Sequence, residues 1–409
     1  MPPFARALVT ASAVVALSIG TIGNTGSSAS LLSGILKPPS VPTSPAPVAT
    51  PSPTPSPTQS STSSSGTANL RVSGNRIVDT AGTPVVLRGL NRAGTEHLPN
   101  ERTEVTDAEV GLIASDQPTS WRASAVRVLM DEAQWTGACP SLANDPTGYQ
   151  AAIDREVDAL TRRGVLALLD LHLSTAGCRA SASHAMPDAP LANDFWRSVA
   201  KRYAGNPRVA FELYNEPHYV NDKTWLNGTS GATFQNCDPD WGSAKLVACQ
   251  ARAPKYQAAG MQALYDVVVA NAPGHLVVVD LPHYATTVPA QLVNDHGHVL
   301  VYGVHAYQCV AVSCATAENN HANSGLLQSW LGLAKTHPLL VTEFGWPAGG
   351  VDGSAYYDET LKYLESQGWG WLAFAVNGTT DGAFPLISDA TTYAPNDEGR
   401  VVYRTMRGE

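Results

Sequence analysis

An α/β fold closed as a (β/α)8 TIM barrel, entered through a short N-terminal β-hairpin, is what this 409-residue sequence predicts. Three observations carry that expectation. Eight short apolar runs recur between Val85 and Ala375, most of them continuous, as strands covered on both faces are. Helix-period stretches fall between the runs. Polar residues stand in phase where the runs end: Arg88, Asn91 and Arg92 on the first, Arg127 on the second, Asp170 and His172 on the third. Asn215 and Glu216 end the fourth, His283 follows the fifth, His305 and Tyr307 end the sixth, and Glu343 ends the seventh. In such a barrel those ends make up the functional face. An open doubly wound sheet shares the alternation, but no G-x-G-x-x-G turn follows the first run.

Taken in order, residues 1–30 hold Arg6, an apolar run from Ala7 to about Ile22, and small residues up to Ser30. The run is diluted by Thr, Ser and Gly and is shorter than the roughly 20 apolar residues of a membrane span. It reads as a cleaved secretory signal. Residues 31–68 are largely Pro, Ser and Thr, as in Pro51-Ser52-Pro53-Thr54-Pro55, and are expected to be a disordered, extended spacer. The folded domain is expected over 69–409. It opens with Leu70-Arg71-Val72 and Arg76-Ile77-Val78 flanking Ser73-Gly74-Asn75, a hairpin signature. The eight strands are expected at Val85–Asn91, Ala125–Met130, Val165–Leu171, Val209–Asn215, His275–Asp280, Val299–His305, Leu339–Glu343 and Gly370–Ala375. Helices are expected at Tyr149–Arg163, Ala258–Ala270, Leu326–Lys335 and Tyr356–Gln367, among others.

With 44% hydrophobic and 15% charged residues, a large core is readily built. The formal net charge is -9. Because residues 1–68 hold only Arg6 and Lys37, the remainder carries 24 basic against 35 acidic groups. Nucleic acid and anionic membrane surfaces are poor partners for such a domain, whereas a neutral polymer is compatible with it. A secreted monomer with no membrane contact after signal cleavage is expected. The six cysteines form no C-x-x-C pair. Cys309 with Cys314 and Cys237 with Cys249 are close enough to close loops, leaving Cys139 with Cys178, although six cysteines allow 15 pairings. The stretch 218–257, with Trp225, Trp241 and the Cys237/Cys249 pair, reads equally as a wall of a cleft or as a disulfide-pinned loop.

The chemistry is carried by two stretches of the same design. Phe211-Glu212-Leu213-Tyr214-Asn215-Glu216-Pro217 and Leu339-Leu340-Val341-Thr342-Glu343-Phe344-Gly345-Trp346-Pro347 each run from an apolar strand into a glutamate and a proline-containing turn. Two carboxylates opposed across a cleft suit cleavage of a glycosidic bond, one donating a proton and the other ionised. Arg127 and Tyr307 are candidate donors to Glu343, and Asn215 is placed to hydrogen-bond a sugar hydroxyl. Trp135, Trp346 and Phe374 are candidates for stacking on sugar rings. No H-E-x-x-H and no G-x-S-x-G motif occurs, so neither a zinc site nor a serine hydrolase is indicated. No metal and no cofactor are expected.

Leu87-Arg88-Gly89-Leu90-Asn91, Ala125-Val126-Arg127-Val128, Leu169-Asp170-Leu171-His172, Tyr214-Asn215-Glu216-Pro217, Val304-His305-Ala306-Tyr307 and Thr342-Glu343-Phe344-Gly345 together resemble glycoside hydrolase family 5, the cellulase family. They occur in that family's order across 69–409. The resemblance implies a retaining β-glycanase with a β-linked polysaccharide or oligosaccharide as substrate, Glu216 as acid/base and Glu343 as nucleophile. It implies substrate-site roles for Arg127, His172, Asn215, His305 and Tyr307. Where the family has a tryptophan platform on the eighth strand this sequence places Phe374, and Leu173 follows His172 where a tryptophan is common.

Overall fold

Eight parallel strands close on themselves in chain order, each next to its sequence neighbour and the last beside the first. A two-stranded hairpin precedes them, β1 (Arg71–Ser73) and β2 (Arg76–Val78). The barrel strands are β3 (Arg88–Arg92), β4 (Ala125–Asp131), β5 (Leu166–Leu173), β6 (Val209–Glu212), β7 (Val277–Asp280), β8 (Leu300–His305), β9 (Leu339–Phe344) and β10 (Gly370–Ala373). Helices between them form the outer layer, so the (β/α)8 expectation holds. This computed structural model describes residues 64–98, 105–139, 144–176, 178, 181–239, 242–307, 320–346, 353–377 and 384–409, without the side chains of 64–65 and 320–326. The expected signal segment, most of the spacer, Trp241, Cys309 and Cys314 lie outside the described residues.

Ser64–Thr67 forms a 3-10 turn, and Thr67 is buried with its hydroxyl donating to Gly164 O at 2.5 Å. The described structure thus begins inside the stretch assigned to the spacer. Strand bounds also differ from the sequence reading for visible reasons. The Val85 N–H bonds Ile77 O at 2.9 Å, which ties Val85 to the hairpin rather than to β3. The His275 ring holds Val209 O and Ala204 O at 2.9 and 3.0 Å, so the chain turns there before β7 begins. Helix starts are set by local capping: Asp145 accepts from Gly148 N at 3.0 Å ahead of the helix Pro146–Arg162, whose proline lacks the N–H that would go unpaired there.

The core divides along the barrel axis. At the N-terminal end, Leu87, Ala125, Leu166, Leu168, Ala210, Leu276, Val278, Val301, Leu340 and Leu372 pack together beneath Leu70 and Ile77 of the hairpin. The hairpin is therefore a plug for an otherwise open barrel end. Ile77→Ala removes buried methyl groups from that plug and is expected to cost about 2–4 kcal/mol of unfolding free energy. Thermal or urea unfolding measures it, and a change under about 0.5 kcal/mol would show that the plug is not part of the cooperative fold. No helix among the described residues is long and apolar enough to cross a membrane.

Candidate active site

Strand register assembles the site. Asn91 pairs with Arg127 across β3 and β4, Asp170 with Glu212 across β5 and β6, and His305 with Glu343 across β8 and β9. Residues more than 200 positions apart thereby meet at the C-terminal mouth.

Arg127 is the hub, fully buried. Its Nε donates to Glu212 Oε2 at 2.6 Å, and its Nη1 to Glu343 Oε1 at 2.5 Å and Asn91 Oδ1 at 3.1 Å. Its Nη2 reaches Asn215 Oδ1 at 2.8 Å and Asp170 Oδ2 at 3.0 Å. A planar fork of five donors fits such a ring of acceptors, which an ammonium would not. Burial opposes its charge, but Asp170, Glu212 and Glu343 outweigh burial and hold the guanidinium protonated. Asn91 is fixed from the other side, its amide donating to Thr342 O at 2.9 Å.

Glu343 receives a second donor, the Tyr307 hydroxyl, at 2.5 Å on Oε2, and His305 Nδ1 lies 3.5 Å from the same oxygen. Burial alone would raise its carboxyl. The charges of His305, Arg127 and His172 and the Tyr307 hydrogen bond overcome that and hold it below its ordinary value of 4.5. Glu343 is thus built to stay ionised.

Glu216 is held differently. The chain leaves β6 at Glu212 and reaches Glu216 with φ +52°, a left-handed conformation unusual for a residue with a side chain. The Glu216 N–H donates to Asp280 Oδ2 at 3.0 Å, its carbonyl accepts from His218 Nδ1 at 2.7 Å, and its Oε1 takes His305 Nδ1 at 2.9 Å. Carboxylate oxygens of Glu216 and Glu343 and a His305 ring nitrogen lie within 4.8 Å of one another. Burial would lower the His305 pKa, but Glu343, Asp280 and Glu216 raise it to about 10, so the ring is an imidazolium at neutral pH. The same donor set, like Glu212 with Asp280 and His305, is close enough for a cation. A metal would need His305 neutral, however, and the imidazolium already supplies the positive charge between the carboxylates.

The other expected residues are distributed as follows. His172 is buried at the mouth with Nδ1 2.8 Å from Asp170 Oδ2; burial disfavours its charge, yet Asp170 raises its pKa above the ordinary value. Trp346 is half-buried and tilts against Tyr356, ring centroids 5.4 Å apart. Phe374 comes to the rim but is only 3% exposed, covered edge-on by Tyr307 and Phe384 at 6.3 and 5.9 Å. Trp135 is not at the site. It is fully buried in the helix layer against Phe195 and Tyr203, with its N–H on Ser198 Oγ, so it cannot stack on a sugar. Trp225 is likewise buried, donating to Asp280 O at 3.1 Å. Two cysteine pairs form as disulfides, Cys139–Cys178 and Cys237–Cys249.

Sequence reasoning missed Glu212 and Asp280, both fully buried and both in this network. The signal was present: an acid inside Val209-Ala210-Phe211-Glu212 and another closing Val277-Val278-Val279-Asp280 have no solvent to face. It also missed Tyr219 and Tyr284, half-buried rings beside His218, with His218 and Tyr284 stacked at 4.5 Å.

Fold and site together define a (β/α)8 barrel with two facing glutamates at its C-terminal mouth, bridged by an imidazole and braced by a buried arginine. The cellulase family, glycosyl hydrolase family 5, matches residues 78–380, and the chain belongs to that family. An endoglucanase of Halalkalibacter akibai is 23% identical over 337 residues, covering 79% of this chain and 38% of the relative. Endoglucanase E-5 of Thermobifida fusca is 24% identical over 304 residues, covering 72% and 52% respectively. This chain therefore spans about half, or less, of the length of these relatives. Among solved structures, the catalytic domain of a Thermobifida fusca endoglucanase has a TM-score of 0.56 at 18% identity, covering 83% of this chain and 98% of that one. A β-glucanase from Saccharophagus degradans in complex with cellotetraose has a TM-score of 0.58 at 20% identity, covering 87% and 97%. At these identities the structures share the fold.

Proposed function

We propose that the chain is a secreted, retaining endo-β-1,4-glucanase. The observation that carries the reading is the pair Glu216 and Glu343, with carboxylate oxygens within 4.8 Å of one another and unlike surroundings. Retaining hydrolysis uses carboxyl groups about 5–5.5 Å apart, too close for a water to enter between sugar and base as inversion requires. Glu343, held ionised by Arg127 and Tyr307, attacks the anomeric carbon. Glu216 gives its proton to the departing glycosidic oxygen and then takes one from the water that hydrolyses the glycosyl-enzyme. Asn215, with its carbonyl oxygen anchored on Arg127, keeps its amide N–H groups for a sugar hydroxyl next to the bond that breaks. His172, His305, Tyr307 and Trp346 complete the sugar site, while Phe374 lies behind Tyr307 and Phe384. The two disulfides suit an oxidising compartment, in keeping with the secretory pattern of residues 1–30.

The endoglucanases among the relatives favour cellulose-type glucan as substrate. One observation favours a β-mannan, xyloglucan or another β-glucan instead: Phe374 is covered, so the eighth strand offers no open aromatic face. A barrel that binds glycan without cleaving it is disfavoured by the intact carboxylates and their donors. Reducing-end release from carboxymethylcellulose, glucomannan and xyloglucan, measured side by side, tests all three readings. No activity on any β-glycan would sink the enzyme.

The pH profile follows from Glu343. Its folded pKa is depressed, so the carboxylate is present above that value and is lost only as pH falls through it. Tyr307→Phe removes one hydrogen bond to the charged form, and the acid limb of kcat/KM is expected to move up by about one pH unit. An unmoved limb would separate that limb from Glu343.

A further inference from the structure

Asp280 is given no role by the reading above, yet it bonds the Glu216 peptide and faces the imidazole that bonds the Glu216 carboxylate. One oxygen, Oδ2, accepts the Glu216 N–H at 3.0 Å and lies 3.5 Å from His305 Nε2. The other nitrogen of the same imidazole bonds the Glu216 carboxylate at 2.9 Å. A closed ring results: peptide to Asp280, Asp280 to imidazole, imidazole to carboxyl. His305 Nε2 is buried and makes no hydrogen bond among the described residues; Asp280 Oδ2, 3.5 Å away, is the carboxylate it faces. We propose that Asp280 is a positioning residue for proton donation, fixing the left-handed peptide at Glu216 and the orientation and charge of His305.

Two further contacts and one close approach mark Asp280 as held in place rather than incidental. Its carbonyl takes the Trp225 indole N–H at 3.1 Å, and Thr342 Oγ1 lies 3.5 Å from its Oδ1. Gly303 stands opposite Asp280 on β8, and a Cβ there would come within 2.1 Å of Asp280 Oδ1. Only glycine at 303 leaves room for this carboxyl. Burial, with the neighbouring Glu212 carboxylate, raises the Asp280 pKa well above its ordinary value. The ring also restrains a backbone that would otherwise relax: Glu216 has φ +52°, and Tyr219, His283, Tyr284 and Ala285 in the two adjoining turns are left-handed as well.

The inference rests on Glu216 being the proton donor, and the test separates the two. Wild-type turnover of a cello-oligosaccharide and of an activated aryl β-cellobioside first establishes the reading itself. Asp280→Asn, which keeps an oxygen for the Glu216 N–H, is then expected to lose about 10²-fold in kcat/KM on the oligosaccharide but under about fivefold on the aryl glycoside, whose leaving group needs no proton. Gly303→Ala, which displaces the carboxyl without changing a polar group, is expected to show the same split. Equal losses on the two substrates, or no loss on either, would overturn the proposal. Should neither variant fold, the wild-type protein decides by nuclear magnetic resonance. The proposal requires protons on both His305 nitrogens at pH 7 and a nuclear Overhauser contact between the Glu216 amide proton and the Nε2 proton, both directed at Asp280. A neutral His305, or no such contact, would overturn it.

Discussion

Glu343→Gly is expected to abolish hydrolysis, with kcat falling on the order of 10⁴–10⁶-fold, as removal of a nucleophile does. The protein should still fold. Arg127 loses one acceptor but keeps Glu212, Asp170, Asn91 and Asn215, so its charge is not stranded. The space left beside Arg127, Tyr307 and His305 is lined by donors, which suits a small anion. Added azide is therefore expected to restore turnover of an activated aryl glycoside and to give the glycosyl azide of inverted configuration, because it attacks from the side Glu343 vacates. Product analysis by proton spectroscopy reads the configuration. An inverted azide formed by the Glu216 variant instead would exchange the two roles.

Glu216→Ala makes the complementary prediction. Substrates with poor leaving groups need the proton in the transition state, so kcat/KM on cello-oligosaccharides should fall about 10²–10⁴-fold. Dinitrophenyl glycosides leave without help, and their bond cleavage should stay within about tenfold of wild type. Plotting the loss against leaving-group pKa measures the effect. A flat plot would mean that Glu216 acts through position alone. The alanine also removes the partner of His305 Nδ1, which retains Glu343 at 3.5 Å. The imidazolium should persist, and the Glu343 carboxylate should stay ionised.

Much of this protein is legible in its sequence, for a reason that particular residues show. A barrel strand is covered on both faces, so Val165–Leu169 or Leu339–Val341 reads as an uninterrupted apolar run, as a buried parallel strand does. An acid or amide at the end of such a run, as at Asn215-Glu216 and Glu343, stands out because the run's own burial forbids it there without a purpose. The aromatic residues were not legible in the same way. Trp135 follows the second strand and looks available, but it opens inward to Phe195 and Tyr203 from a short helix. Trp225, in the long segment after β6, is a prop under Asp280 rather than part of a cleft surface. Hydrophobicity is the same whether a ring faces a sugar or a core, so local pattern cannot tell them apart.

By itself, then, the sequence determined the eight-strand alternation, the hairpin ahead of it, and the two glutamates that end the fourth and seventh strands. These are properties of single segments, set by burial and turn chemistry within a dozen residues. Tertiary structure alone decided which groups surround each glutamate, since barrel closure brings Arg127 to Glu343 across 216 positions and His305 to Glu216 across 89. It alone covered Phe374, buried Trp135, and set Asp280 against both the Glu216 peptide and the His305 imidazole. The reason is register: strand pairing and barrel closure fix which distant side chains share one small volume, and no segment carries that information alone.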